Sequence, residues 1–146
     1  MTLRVVPATL QDVGALTSMG QRFHERSGLP VPFSAPQAST YARMCVENWD
    51  GYAQLARDGE DPCGMILGWT SWHPFLPIQI AEETAWWVAP GAPRQAAPDL
   101  LRSFEDWAWE RGCKLIALSD LALRDRPWLR RRGWSPVETR WIKVVD

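Results

Sequence analysis

The chain has 146 residues, of which 46% are hydrophobic and 23% charged, and its formal net charge is −1. These values predict one globular domain over residues 1–146 and exclude a disordered chain. The near-neutral charge also argues against a dedicated nucleic-acid-binding protein. No apolar run approaches the roughly 20 residues that a membrane-spanning helix needs, so we expect no membrane partner.

The cysteine and tryptophan contents indicate the redox state of the protein, whether it has a metal site, and what fills its core. Cys45, Cys63 and Cys113 are widely spaced, with no C-x-x-C pair and no histidine at a zinc-ligand spacing. We interpret them as reduced core thiols of a cytoplasmic protein that binds no metal. Ten tryptophans are unusual for this length. Most should fill the core, and a minority should line a pocket.

The first half of the chain predicts one strand, two helices and two further strands. A strand over residues 2–7 is followed by a helix that begins after a capping-box pattern at Thr9 and Asp12 and ends near Ser27. A second helix begins at Ser34 or Ala35 and reaches residue 46 or 47. Strands over 51–57 and 64–72 then form a hairpin, because a turn sequence separates them.

The second half alternates strands and helices. A strand over 78–88 leads through a loop into a helix over 98–111 with an apolar stripe. A short buried strand follows over 114–119, then a helix over 121–132 interrupted near Pro127, and a last strand over 134–145. The predicted fold is α/β with a mixed, mostly antiparallel central sheet in the order β-α-α-β-β-β-α-β-α-β. The edge of the last strand would need covering, which is compatible with a homodimer.

Three segments carry a resemblance that extends over nearly the whole chain. They are AEETAWWVAPGAPRQAAPDLL, SFEDWAWERGCKLIALS and RRRGWSPVETRWIKVV. Their order and spacing resemble the GNAT superfamily of acetyl-CoA-dependent N-acetyltransferases, and look closest to its compact bacterial and phage-encoded members. The resemblance implies a GNAT-like sheet with helices on both faces, and acetyl-CoA as cosubstrate.

The resemblance places a cofactor loop after the strand over 78–88. The family pattern [Q/R]-x-x-G-x-[G/A] begins at Arg94, with Ala97 and Asp99 in the two glycine positions. Backbone N–H groups at a helix start, together with an arginine, can still hold a diphosphate. The polarised thioester would accept from a backbone N–H near the strand end. The residues expected at the cofactor are Trp87, Val88, Arg94, Gln95, Ala96, Ala97 and Asp99.

Two changes weaken this loop as an anion site. Pro98 removes one N–H donor, and Asp99 brings a negative charge into the first helical turn. We therefore expect weaker or differently shaped binding than in glycine-rich relatives. The alternative is a strand-to-helix turn that has lost its ligand.

The resemblance implies a catalytic glutamate on the strand that enters the loop. Glu83 lies eleven residues before Arg94, as in some GNAT relatives, and Glu82 is the alternative. Alternation along the strand places Glu83 on one sheet face with Ala85 and Trp87, and Glu82 on the other. Only one of them can face a pocket unless a bulge intervenes.

The acid that many relatives use for the departing thiolate is missing. A tyrosine four residues before the G-[aromatic] pair is replaced by Leu129. A thiol has a pKa of about 8.5, so a thiolate can leave without help or with a water. Ser119 and Asp120 could supply a hydroxyl or orient that water, although a helix cap explains them as well.

The sequence therefore predicts an N-acetyltransferase that acts on a primary amine of a small molecule or peptide. The alternatives are a GNAT-fold module that binds CoA with little or no turnover, and a tryptophan-rich interaction protein without a cofactor. His24 and His73 have no catalytic partners readable from their spacing and are expected to be structural.

Overall fold

The computed structural model describes residues 2–119 and 126–145. Over these residues the helices and strands are β1 (Leu3–Pro7), a 3-10 turn (Leu10–Asp12), α1 (Val13–Ser27), α2 (Ala35–Glu47), β2 (Gly51–Asp58), β3 (Asp61–Trp72), β4 (Gln79–Val88), α3 (Ala96–Glu110), β5 (Leu115–Ala117) and α4 (Pro127–Arg131). No helix in this part of the chain is long and apolar enough to cross a membrane.

The five strands form one sheet in the order β1-β2-β3-β4-β5. The pairs β1·β2, β2·β3 and β3·β4 are antiparallel, and the pair β4·β5 is parallel. The sequence-based prediction of a mixed, mostly antiparallel sheet is thereby confirmed. The single parallel pair is the exception, and its ladder ends after Glu82 and Ala117.

Helices cover both faces of the sheet, as expected. Along β3, Met65 and Leu67 belong to the core cluster under α1 and α2, while Ile66 belongs to the cluster under α3. Successive residues of a strand point to opposite faces, so the two clusters are separated by the sheet. Phe104 of α3 is fully buried on its side.

The ends of α1 and α2 form where local signals predicted them. The Thr9 N–H donates to Asp12 Oδ2 at 2.8 Å, which is half of the expected capping box. Gly28 ends α1 with a φ of 73°, a left-handed conformation that favours glycine. Ser34 caps α2 by accepting from the Gln37 N–H at 3.2 Å.

Gly68 allows α3 to pack closely on the sheet. A Cβ added there would lie 2.4 Å from Phe104 Cε1 and 2.9 Å from the Glu82 carbonyl oxygen. Both neighbours are hard to move, since one is a fully buried ring and the other is backbone. The absence of a side chain at Gly68 therefore sets the distance between α3 and β3.

The three cysteines are unpaired and buried, as predicted. Burial raises the pKa of each thiol above its usual value. The thiols therefore stay protonated near neutral pH.

The predicted last strand is wrong. Residues 134–145 have no regular secondary structure, and after Trp134 their side chains are exposed. The alternating pattern favoured a strand, but a strand also needs a neighbour to pair with, and Pro136 cannot donate to a ladder. The expected edge belongs instead to β5, which is shorter than predicted and half exposed at Leu115.

The helix expected over 121–132 is observed only as α4. Pro127 stands at its start rather than in its middle, because proline tolerates the first helical turn. Residues 121–125 lie outside the described part of the chain.

Candidate active site

A cavity opens where β4 and β5 stop pairing. The parallel ladder joins only three residue pairs, from Ile80 with Leu115 to Glu82 with Ala117. Beyond Glu82 the cavity has a volume of about 230 Å³. It is lined by Phe23, Arg26, Glu83, Trp86, Trp87, Val88, Ala97, Leu118, Ser119, Arg126, Trp128 and Leu129.

A β-bulge interrupts the pairing of β4 with β3 beside the two candidate glutamates. Leu67 of β3 pairs with Ala85, but the next residue, Gly68, pairs with Glu83. Thr84 is therefore the extra residue of a bulge. Tyr41 of α2 holds it, since the Tyr41 hydroxyl lies 2.8 Å from Thr84 Oγ1.

The bulge lies between Glu83 and the residues expected to share its face. Ala85 and Trp87 belong to the core under α1 and α2. Glu83 instead pairs opposite Gly68, whose added Cβ would meet α3. Strict alternation does not cross a bulge, so the shared face of Glu83, Ala85 and Trp87 stays a prediction, although Glu83 and Trp87 line the same cavity.

Glu83 is a buried carboxyl group held by a main-chain donor. Its side chain accepts from the Ser119 N–H at 3.0 Å, and the residue is 8% exposed. Burial raises its pKa to about 7, although the Ser119 hydrogen bond opposes the shift. A group with this pKa can gain and lose a proton near neutral pH. Ser119 acts here through its backbone rather than its hydroxyl.

The other polar candidates lie elsewhere. Glu82 is exposed, pairs opposite Trp69 and does not line the cavity. Asp120 falls outside the described residues. His24 and His73 contact nearby backbone, at Val31 and Phe75, and neither lines the cavity.

The loop between β4 and α3 presents one charged side chain and an open helix start. Arg94 is exposed and has no hydrogen-bond or ion-pair partner within residues 2–119 and 126–145. Ala97, half-buried, lines the cavity. Gly91 turns the loop with a φ of 85°, so the one glycine present serves the turn and not the helix start.

Two residues of the loop differ from expectation. The Ala96 N–H donates to the Pro93 carbonyl at 2.9 Å, and Ala96 is fully buried, so this N–H is not free for a ligand. Asp99 Oδ1 accepts from Gln95 Nε2 at 2.9 Å. The Asp99 carboxylate is thus paired with a side chain and does not cap the helix start.

Trp86 provides a polar atom that the sequence did not point to. Its Nε1 is buried and has no hydrogen-bond partner among the described residues, and the residue lines the cavity. A buried donor left unpaired costs about 1–3 kcal/mol. Its ring meets Trp128 at a centroid distance of 6.0 Å. The adjacent tryptophans of β4 were the only feature of the sequence that could have indicated this donor. An indole N–H without a partner suits a ligand with acceptor oxygens.

Leu129 stands at the position where the thiolate-protonating acid was expected. It is buried, on α4, and lines the same cavity as Glu83. The position where relatives carry a tyrosine thus contacts the site but carries no proton to donate.

A family model described as "Acetyltransferase (GNAT) family" matches residues 21–134, well over half of the chain. The chain belongs to the GNAT acetyltransferase family. No relative was found among curated proteins.

Solved structures show the GNAT fold over the full length of the chain. A predicted acetyltransferase from Clostridium acetobutylicum, crystallised with acetyl-CoA, has a TM-score of 0.82 at 16% identity, covering 99% of this chain and 96% of its own. The ribosomal-protein-alanine N-acetyltransferase of Brucella melitensis biovar Abortus 2308 has a TM-score of 0.72 at 13% identity, covering 100% of both. An aminoglycoside acetyltransferase from an uncultured soil metagenomic sample has a TM-score of 0.71 at 15% identity, covering 100% of this chain and 99% of its own. At these identities the likeness concerns the fold.

The residues present in this GNAT chain fit acetyl-CoA, the cosubstrate of GNAT enzymes. Among the described residues, Arg94 offers a cation without a partner at the start of α3, and Trp86 offers a buried donor without one in the cavity. Both groups match a ligand that is anionic at one end and carries amide and carbonyl oxygens along its length.

Proposed function

We propose that the protein is an N-acetyltransferase that transfers the acetyl group of acetyl-CoA to a primary amine. The observation that carries this proposal is Glu83, a buried carboxyl group in the cavity between β4 and β5. Its pKa of about 7 suits a base that works at neutral pH.

Glu83 would remove the proton that keeps the acceptor amine unreactive. A lysine-like amine has a pKa of about 10.4 and is mostly protonated at pH 7. Ionised Glu83 takes this proton directly or through a water, and the freed amine attacks. The Ser119 N–H keeps the carboxyl group oriented in both protonation states, since a carboxylate and a carboxylic acid both accept from it.

The cosubstrate would lie along β4, with its diphosphate at the start of α3. Arg94 and the Ala97 N–H would hold the diphosphate, while Gln95 and Asp99 stabilise the first turn by their mutual hydrogen bond. When bound, acetyl-CoA supplies the activated acetyl thioester. Trp87 and Val88 would direct a backbone N–H at its carbonyl oxygen, as an oxyanion donor does.

No side-chain acid for the departing thiol is proposed at position 129. Leu129 cannot donate, and a thiol with a pKa of about 8.5 leaves tolerably as the thiolate or takes its proton from water. The acceptor would be a small-molecule or peptide amine. The protein would be a single domain over residues 1–146. Its three unpaired cysteines support a cytoplasmic location.

The test compares two neighbouring glutamates. Release of free thiol from acetyl-CoA is measured with small amines, a lysine peptide and a peptide with a free N-terminus, for the wild type, Glu83→Gln and Glu82→Gln. Loss of the base should lower the rate about 10²–10⁴-fold in Glu83→Gln. Glu82→Gln should keep its activity, because Glu82 is exposed and outside the cavity.

The pH dependence gives a second readout. The wild-type kcat/KM should rise with pH through about 7 as Glu83 ionises, and this step should vanish in Glu83→Gln. Equal rates for Glu83→Gln and wild type would rule out Glu83 as the base.

The second candidate function is a CoA-binding module with little or no turnover. Leu129 at the tyrosine position and Ala97 at a glycine position favour it. Acetyl-CoA would then raise the melting temperature, while no amine would be acetylated. Absence of any thermal shift would contradict both functions.

A further inference from the structure

Arg26 brings a cation to the wall of the candidate active site without a partner of its own. It lies in the last turn of α1 and lines the cavity that also contains Glu83. Within residues 2–119 and 126–145, its guanidinium makes no hydrogen bond, ion pair or ring contact. The dipole of α1 favours a cation in this turn, but it does not explain why the residue lines a cavity.

A second arginine stands one turn earlier on the same helix. Arg22 lies over the ring of Trp87, with 5.7 Å between its guanidinium carbon and the ring centroid, and Trp87 lines the cavity. Residues four positions apart share a helix face, and like charges at this spacing destabilise a helix slightly. In the described part of the chain, no carboxylate pairs with Arg22 or Arg26. The stability of α1 therefore does not account for the two arginines, whereas an anionic ligand does.

Glu83 and Arg26 line the same cavity but do not neutralise each other. No ion pair joins them. Burial raises the pKa of Glu83, and the hydrogen bond from Ser119 is the one interaction that lowers it, so Arg26 does not stabilise the Glu83 carboxylate. The cavity thus offers a carboxyl group and a separate guanidinium, each available to a ligand.

The size of the cavity restricts the acceptor. Its volume is about 230 Å³, which is below the range of about 300–1,000 Å³ that pockets for drug-sized ligands have. An acceptor that fits inside it is therefore small, and both of its ends lie close to the cavity wall.

We propose that the acceptor is a small amine that also carries a carboxylate, and that Arg26 binds this carboxylate while the amine faces Glu83. This inference rests on the proposed acetyltransferase function and adds the chemical class of its acceptor. A guanidinium can bind a carboxylate through two parallel N–H···O bonds. A zwitterionic amino acid thus meets an opposite charge at each end, whereas a diamine places a second cation beside Arg26.

The reaction leaves the carboxylate of the acceptor unchanged. The ammonium group gives one proton to Glu83, and the freed nitrogen attacks the thioester carbonyl. The C–N bond forms and the C–S bond breaks, with its electron pair staying on sulfur. The second proton lost by the nitrogen ends on the CoA thiolate, so the products are an N-acetyl amino acid and CoA. Arg26 holds the carboxylate throughout and exchanges no proton.

Matched pairs of acceptors test the preference for a carboxylate. Release of free thiol from acetyl-CoA is measured with leucine, β-alanine and γ-aminobutyrate, each beside the amino alcohol of the same chain, and with putrescine as a dication. Each pair has amines of similar basicity and differs in the anion. At least one amino acid should have a kcat/KM about tenfold or more above that of its alcohol, and putrescine should react more slowly than that amino acid. Alcohols or putrescine that react as well as every amino acid overturn the proposal.

An aminophosphonate separates the two kinds of anion that an arginine binds. Aminomethylphosphonate should react more slowly than the best amino acid, because the proposal assigns a carboxylate to Arg26. An aminophosphonate that reacts faster than every amino acid overturns this assignment.

Substitutions of Arg26 test which residue sets the preference. Arg26→Gln should raise the KM for the preferred amino acid about tenfold, bring the ratio between acid and alcohol toward one, and keep the KM for acetyl-CoA. Arg26→Lys retains the charge without the two parallel bonds, so it should keep part of the preference. Arg102→Gln removes an exposed arginine of α3 outside the cavity and should keep all of it. A raised KM for acetyl-CoA with an intact preference for acids would assign Arg26 to the cosubstrate and overturn the proposal.

Binding without turnover distinguishes failure of this inference from failure of the proposed function. The same amino acids are titrated by calorimetry into the protein saturated with CoA. Binding to the wild type about tenfold tighter than to Arg26→Gln supports the carboxylate site, and if no amine is then acetylated, only the acetyltransferase function fails. Acetylation of alcohols and putrescine at the rates of the acids overturns the role of Arg26 alone. The absence of both binding and turnover overturns both.

Discussion

Arg94 is the only charged side chain in the loop between β4 and α3. It is exposed and has no partner in the described part of the chain, so it forms no structural ion pair that a substitution would break. Replacing it should therefore affect a bound anion without altering the fold. This makes Arg94 the most direct probe of the proposed diphosphate site.

We predict that Arg94→Ala weakens acetyl-CoA binding about tenfold, which corresponds to about 1.4 kcal/mol, because a charge-assisted hydrogen bond is lost. Isothermal titration calorimetry measures the affinity. Arg102→Ala removes an exposed arginine farther along α3 and should bind as the wild type does. If both variants bind with the same affinity, Arg94 is not at the diphosphate.

The packing of α3 on β3 is the feature that matters at the level of elements. Gly68 admits Phe104, and it also pairs opposite Glu83 at the bulge. A side chain at this position would push against the ring that anchors α3 and against the backbone of β4. The same glycine thus supports both the core and the position of the candidate base.

We predict opposite effects for one substitution at two glycines. Gly68→Ala should lower the free energy of unfolding by about 1–3 kcal/mol, since overpacking forces the core to shift. Gly14→Ala should raise it by about 0.4–1 kcal/mol, because nothing lies within 4 Å of the added Cβ in α1. Urea unfolding of both variants checks this, and a stabilising Gly68→Ala would contradict the close packing.

At the scale of the whole molecule, Glu83 links stability to pH. Its pKa is raised from the usual 4.5 to about 7 in the folded state. Between these values the folded state holds a proton that the unfolded state has released. The contribution of Glu83 to stability therefore falls as pH rises from about 4.5 to 7, and the full cost of the buried charge is present above pH 7.

Glu83→Gln should accordingly be more stable than the wild type above pH 7, by roughly 3 kcal/mol at most at 1.36 kcal/mol per pKa unit. The difference should shrink as the pH falls toward 4.5 and vanish well below it, where the wild-type carboxyl group is neutral in both states. Urea unfolding at several pH values measures it, with Glu82→Gln as the exposed control. A gain that does not depend on pH would show that Glu83 does not titrate as described.

Local signals allowed the sequence to predict much of the fold. Thr9, Gly28 and Ser34 act within a few residues, so the limits of α1 and α2 were readable from the chain. The resemblance to GNAT proteins identified the family and the strand that carries the candidate base. These features depend on neighbours in sequence or on patterns over short segments.

Features that join distant residues were not readable. The bulge at Thr84 arises from the pairing of β4 with β3 and has no side-chain signature. The hydrogen bond between Glu83 and Ser119 joins residues 36 positions apart. Trp86 Nε1 and the final segment lack partners because of how distant parts of the described chain pack. The alternation of polar and apolar residues along one segment does not contain this information.

The buried thiols have a practical consequence for enzymology. Because Cys45 is 2% exposed and burial raises the pKa of its thiol, a chromogenic disulfide reagent should react with it only after the protein opens. Cys113 lines a surface groove, so a reaction without amine is subtracted, and the remaining colour formed during turnover reports coenzyme alone. In denaturant, the rate at which the same reagent reacts with the buried thiols measures the rate of global unfolding.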